Sequence, residues 1–119
     1  MARLVVDGND LVVRLSPLEK LGALAGHNPR VPLTTVEIAR VSEDPWRDLR
    51  GMRAPGTGFP GVIMLGTTRA RGVHDFAAVY RHRRGVVVEL KGARWTRFVI
   101  SCRDDAPEDV VAAISGQTG

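Results

Sequence analysis

The sequence predicts a mainly β fold: an antiparallel barrel or sandwich of about seven strands, with a short helix after the second strand and a C-terminal helix closing it. Three observations predict this. Short apolar runs rich in Val, Leu and Ile recur at close spacing, cut by Gly, Pro and Asp turns. Strand and helix patterns do not alternate, so a parallel β-α-β sheet is not expected. Only two stretches carry a helical stripe with a capping signal, one short and one terminal.

The elements follow in order. RLVV (3–6) and LVVRL (11–15) flank DGND, where Asp7-Gly8 signals a hairpin. SPLEKLGALAG (16–26) opens with Ser16 as cap, Pro17 at the first helical position and Glu19 completing S-x-x-E. Leu18, Leu21 and the pair Leu24/Ala25 recur at helical spacing, and Gly26 ends the helix. RVPLTTVEIARVS (30–42) is β-branched and alternating, with Pro32 marking an edge or a strand start. EDPWRDLRGMRAPGTGFPG (43–61) has no sustained period and predicts a long excursion, with at most one helical turn around 45–49. VIMLGTT (62–68), DFAAVYRH (75–82), VVVELKG (86–92) and RFVISC (97–102) are the remaining strands. In the third of these, Val86, Val88 and Leu90 are expected to face inward and Val87, Glu89 and Lys91 outward. Phe98, Ile100 and Cys102 share a face. The last helix is predicted over 106–115, with Asp105 as cap, Glu108 three residues on and a stripe of Val110, Val111 and Ile114; 115–119 is expected to fray.

The 119 residues read as one domain, 1–119, long enough to bury a real core. A lone cysteine, Cys102, excludes an intrachain disulfide and a multi-cysteine zinc site. Asp7 and Asp10 interrupt the N-terminus too early for a signal peptide, and no apolar run reaches membrane-spanning length, so a cytoplasmic location is expected.

Gly56, Gly58 and Gly61 spell G-x-G-x-x-G, and Gly56 with Gly61 starts a P-loop pattern. Both phosphate loops need a buried strand leading in and a helix leading out. Here VIMLGTT is a strand candidate, and Val62-Ile63 stand where a P-loop requires Lys and Ser or Thr. The glycines therefore predict a bend, with Val62–Thr68 extended, and no nucleotide or other cofactor is expected.

No acid–base pair, metal set or activated nucleophile emerges, so no catalytic residue is assigned. His74 and Asp75 are adjacent, but residues 75 and 82 of one strand point to opposite faces, so His82 cannot join Asp75 on a metal. Cys102, on the face of Phe98 and Ile100, reads as a structural thiol.

Net charge is +4, but residues 46–103 hold twelve arginines and lysines against three acids. Arginine outnumbers lysine fifteen to two, a ratio that GC-rich coding also produces. Arg69, Arg71, Arg81, Arg83, Arg84, Arg94 and Arg97 all fall near strand ends. Should these turns meet at one end of a barrel, they would form one anion-attracting patch. Trp95, between Arg94 and Arg97 in a turn, is expected to be exposed and is a candidate interaction anchor. Trp46, beside Pro45, is expected to cover the core.

Together, SPLEKLGALAGHNPRVPLTTVEIARVSEDPWRDLRG, APGTGFPGVIMLGT, DFAAVYRH, VVVELKGARWTRFVIS and DDAPEDVVAAI resemble the small pleckstrin-homology-like (PH-like) proteins of GC-rich Gram-positive bacteria, a group without an assigned function. The resemblance covers nearly the whole chain and is most specific at APGTGFPG and VVVEL. It implies a seven-stranded bent antiparallel barrel capped by the C-terminal helix. Phosphoinositide-binding relatives of that fold use basic residues on the first two strands and their loop. Here the loop is Asp7-Gly8-Asn9-Asp10, and Arg14-Leu15-Ser16 stands where Arg-x-Arg is expected. The resemblance therefore implies no inositol-phosphate site at the usual place, and a fold alone assigns no ligand.

The expected function is a non-catalytic binding module. Its partner is a protein, including a second copy as a homodimer; the alternative is an anion, a lipid headgroup or nucleic-acid phosphate held by the arginine patch.

Overall fold

Gly8 sits at φ 60°, a left-handed conformation open to a residue without Cβ, and turns β1 (Arg3–Asp7) back on β2 (Asp10–Arg14). The hairpin expected at Asp7-Gly8 is present. The structure, a computed structural model, describes residues 1–23, 25–59 and 61–118, with backbone alone at 52–56 and 118. Leu24, Pro60 and Gly119, used in the sequence analysis, lie outside the described residues.

Helix α1 (Pro17–Ala23) starts as expected. Ser16 Oγ accepts from the Glu19 amide at 3.2 Å, and Glu19 Oε1 accepts from the Ser16 amide at 2.9 Å, the reciprocal capping box. Its orientation, however, defies its own pattern. Leu18 and Leu21 are 80% and 70% exposed, while Glu19 and Ala23 are buried. The Glu19 carboxylate turns the helix, because it also accepts from the Ala2 amide at 2.6 Å and from the Tyr80 hydroxyl. Gly22 permits close approach: a Cβ there would come within 3.1 Å of Leu65 Cδ2, and the Gly22 carbonyl accepts from Thr57 Oγ1 at 2.7 Å.

The run 30–42 is two strands rather than one. β3 (Arg30–Pro32) pairs with β2, a 3-10 turn follows at Leu33–Thr35, and β4 (Val36–Ser42) enters a different sheet. A second strand lies inside the expected excursion, where β5 (Met52–Phe59) pairs antiparallel with β6 (Ile63–Ala70). The glycine motif thus lies in a hairpin. Gly61 takes φ 76°, and the Val62 amide donates to the Phe59 carbonyl at 2.9 Å. Strands β7 (Val73–Tyr80), β8 (Gly85–Leu90) and β9 (Arg97–Ser101) and helix α2 (Pro107–Thr118) complete the chain. Helix α2 runs through Thr118, beyond the 106–115 expected. Its first hydrogen bonds go to the Ala106 carbonyl, and Asp105 lies 3.6 Å from Arg3.

The result is mainly β, with nine strands in two sheets, β1-β2-β3 and β4-β8-β9-β7-β6-β5. The expected seven strands become nine because one run splits and one strand was hidden. The sheets are not wholly antiparallel either, since β7 and β9 run parallel. Among the described residues no ladder closes them into a barrel.

Leu11, Val13 and Val31 of the small sheet meet Phe76, Val88, Phe98 and Ile100 of the large one, with Ile114 of α2, in a shared core. The other face of the large sheet is buried too. Met64, Ala77, Val79, Val87 and Val99 lie there under Trp46 and Leu49. Val87, expected outward, is buried for this reason, and Trp46 covers a core as expected.

Burial works to raise the Glu19 carboxyl, but bonds from Ser16 and Tyr80 and the nearby N-terminal ammonium outweigh it and hold it below the usual glutamate range. A depressed carboxylate stabilises the fold fully above its unfolded value, and that contribution is lost as pH falls through the folded value. Urea unfolding should therefore show stability declining below pH 4.5, the ordinary glutamate value. Glu19→Gln should cost ~2 kcal/mol at pH 7 and decline less steeply in that window; identical slopes would contradict the assignment.

Candidate functional site

Because β7 and β9 run parallel, the turns that precede them lie at one end of the sheet and the turn that follows β7 lies at the other. Arg69, Arg71, Arg94 and Arg97 belong to the first end; Arg81, Arg83 and Arg84 belong to the second. Eight residues of β7 separate them, about 25 Å at a strand's rise. The condition for a single patch, that these turns meet at one end, is not met.

Two of the seven arginines are also committed to acids. Arg84 pairs with Glu43 at 2.9 Å and with Glu108. Arg97 pairs with Glu89 and donates from Nη1 to the Asp48 carbonyl at 2.9 Å. Trp95 is not an exposed anchor: it is 9% exposed, stacked on His74 at 4.4 Å between centroids and edge-on to Phe76 at 5.5 Å. Its charged flanks suggested exposure, but β7 supplies the partners that bury it.

The turn bearing Trp95 is held from beneath. Asp75, on the opposite face of β7 from His74 and Phe76, is 1% exposed. It accepts from Arg50 Nε and Nη2 at 2.9 Å each and from Thr96 Oγ1 at 2.6 Å. One carboxylate thereby ties the segment after Trp46, strand β7 and the β8–β9 turn. Beside it, Asp48 accepts from Arg40 at 2.8 Å and from Ser42. Burial works to raise Asp48, but these bonds hold it below the usual aspartate range. In the sequence Asp75 reads only as a metal candidate beside His74. Its pairing with Arg50, and that of Asp48 with Arg40, leave no local spacing to mark them because the partners come from different segments.

At this end, a cleft of about 520 Å³ opens between the α1–β3 loop and the large sheet. His27, Arg30, Arg69, His74, Arg94 and Trp95 contribute to its wall, and no acidic side chain does. Arg30 is engaged with Asp7 and Asp10 at 2.8 Å each. Arg69 and Arg94 have no acidic partner among the described residues.

The opposite end is different. Leu18 of α1 borders a groove with Val62 of the β5–β6 turn, and Leu21 on the same helix, Phe59 and Val62 are 70%, 62% and 45% exposed. Helix α1 packs on β5 and β6, and the Arg81 amide donates to the Val62 carbonyl at 2.8 Å. The groove, of about 470 Å³, is lined by Leu18, Val62, Ile63, Tyr80, Arg81 and Arg83, with Arg103 and buried Glu19 also bordering it. Arg81, Arg83 and Arg103 have no acidic partner among the described residues.

For chemistry the arrangement offers little. Among the described residues no three His, Cys, Asp or Glu side chains gather as a metal would require. Burial, followed by Asp105, pushes the Cys102 thiol up, away from thiolate reactivity. No described helix is long and apolar enough to cross a membrane. No family model matches the chain, and no curated protein or solved structure matches it either.

Asp75 is buried while the Arg50 side chain is 37% exposed. Removing Arg50 leaves a buried carboxylate uncompensated at the edge of solvent, at the lower end of the cost of breaking a buried pair. Arg50→Ala should thus lower stability by about 3 kcal/mol in urea unfolding, and Arg50→Ala with Asp75→Asn should recover part of the loss. Additive losses in the double variant would contradict the clamp.

Proposed function

We propose that this protein is a non-catalytic binding module that docks reversibly on an anionic membrane surface through the end carrying Leu18, Leu21, Phe59 and Val62. The observation that carries this reading is the reversed α1, whose leucines face water beside two exposed apolar residues of a tight turn. Among the described residues the large exposed hydrophobics are Leu18, Leu21, Phe59, Val62 and Ile38; the first two belong to α1, which packs on β5 and β6, and the next two flank the β5–β6 turn. Isolated exposed leucines need no explanation, whereas a cluster with a basic rim marks an interaction surface.

Arg81, Arg83 and Arg103 supply that rim. Each cation close to an anionic leaflet contributes about 1 kcal/mol, and each partly inserted Leu or Phe adds a further ~1 kcal/mol or more. The sum suits weak, reversible attachment in the manner of an interfacial amphipathic element.

Self-association is less favoured at this surface, because a two-fold contact would set Arg81 and Arg83 near their own copies without acids between them. A Trp95-anchored protein partner loses its anchor to the core. Nucleic acid would need exposed aromatics for stacking, and this end offers Phe59 alone. A cytoplasmic location and kinship with PH-like proteins remain part of the proposal. Element order supports that kinship, with strands first and a helix last, while the parallel β7–β9 pair departs from it.

Co-sedimentation tests the reading. Vesicles of phosphatidylcholine with about 30% phosphatidylserine should retain the protein, and neutral vesicles should not. Leu18→Ser with Leu21→Ser, at exposed positions, should weaken retention about tenfold, as should Arg81→Glu with Arg83→Glu. Absence of retention would overturn the proposal. So would a concentration-dependent dimer abolished by the leucine substitutions, in favour of self-association.

A further inference from the structure

The cleft at the other end owes nothing to the membrane-docking surface, and its chemistry is distinct. We infer that it binds a small oxyanion, a compound presenting a carboxylate or phosphate group between Arg69 and Arg94.

Size and charge come first. A volume of about 520 Å³ falls within the usual range for small-molecule sites. The wall carries arginine and histidine and no acid, so an anion entering it meets no opposing charge at the surface. Arg30 is not the recognising group, since Asp7 and Asp10 already balance it. Arg69 and Arg94 remain uncompensated, and a guanidinium presents planar paired donors that suit two oxygens of one carboxylate or phosphate.

The second arginine is held in place. His74 Nδ1 lies 2.6 Å from the Arg94 carbonyl. A carbonyl only accepts, so Nδ1 carries the proton and pins the Arg94 backbone. The Thr96 amide donates to the His74 carbonyl at 2.8 Å, and the Thr96 hydroxyl is fixed by Asp75. The Arg94 guanidinium itself sits 5.7 Å from the Trp95 ring centroid, where the ring face attracts a cation. Arg69 stands opposite His74 in the β6–β7 ladder, which sets it on the same face. His74 Nε2 is enclosed and without a hydrogen-bond partner; the imidazole acts as a post for Arg94 rather than as a ligand contact. Rigid placement lowers the ordering cost of binding.

Proton–nitrogen NMR titration of the full chain with inorganic phosphate and, separately, with citrate tests the assignment. Saturable shifts are expected at the Arg69, His74 and Arg94 amides and the Trp95 indole N–H. A response to phosphate alone assigns the phosphate class, and to citrate alone the carboxylate class; either supports the site. Arg69→Gln with Arg94→Gln should weaken binding at least about tenfold, whereas Arg47→Gln, at a side chain 88% exposed and outside the cleft, should leave it unchanged. If the double variant fails to fold, Arg69→Gln alone, on an exposed residue, is expected to weaken binding several-fold. Absence of saturable shifts with both ions up to about 20 mM, well above the millimolar affinity of minimal probes, would overturn the inference. Equal binding by the folded variants would do the same.

Discussion

A carboxylate out of contact with water sets the terms for this structure. Asp75 is costly to bury unless its charge is met, and three donors meet it: two from Arg50 and one from Thr96. Those donors come from segments far apart in the chain. Satisfying one group therefore fixes how the Trp46–Arg50 segment lies over the large sheet. It also fixes where the turn into β9 begins. With that turn in place, β9 runs beside β7 in parallel, and the sheet acquires apolar contacts on both faces.

The parallel pair sorts the arginines. An antiparallel meander closed at one rim could have collected their turns into a single field. Here the sheet sends them to opposite ends, and each end adds different neighbours. The cleft end has a rigid, acid-free wall behind Arg69 and Arg94. The other end has leucines that a buried glutamate has turned outward. Glu19 is the counterpart of Asp75 in this respect, since its bonds to Ala2, Ser16 and Tyr80 outweigh the tendency of Leu18 and Leu21 to be buried. Two polar anchors thus determine which apolar and which charged groups meet solvent.

Local signals were legible in the sequence. The Asp7-Gly8 hairpin, the Ser16–Glu19 box, the extended chain after Gly61 and the stripe of α2 all depend on neighbours within a few residues, and all are present. Strand β5 was hidden because its glycines and proline suppress the alternating pattern that identifies a strand. The break between β3 and β4 was hidden because β-branching continued through the turn. Val87 was assigned to solvent because alternation distinguishes the two faces of a strand without revealing that both are covered. Trp95 was misjudged from its arginine flanks, since the rings that bury it stand on another strand. The candidate surfaces were the least legible, because long-range pairing decides which turns share an end. The Arg50–Asp75 clamp spans 25 positions and carries no local spacing signal.

The division of the basic residues into two ends is open to direct measurement. Pulsed electron-spin distances between labels at Arg71→Cys and Arg83→Cys, with Cys102→Ser as background, report the span of β7. The account predicts a distribution centred at about 25 Å or beyond, the reach of an eight-residue strand. A distribution centred below about 15 Å, shorter than five residues of strand, would return these arginines to one patch and contradict it.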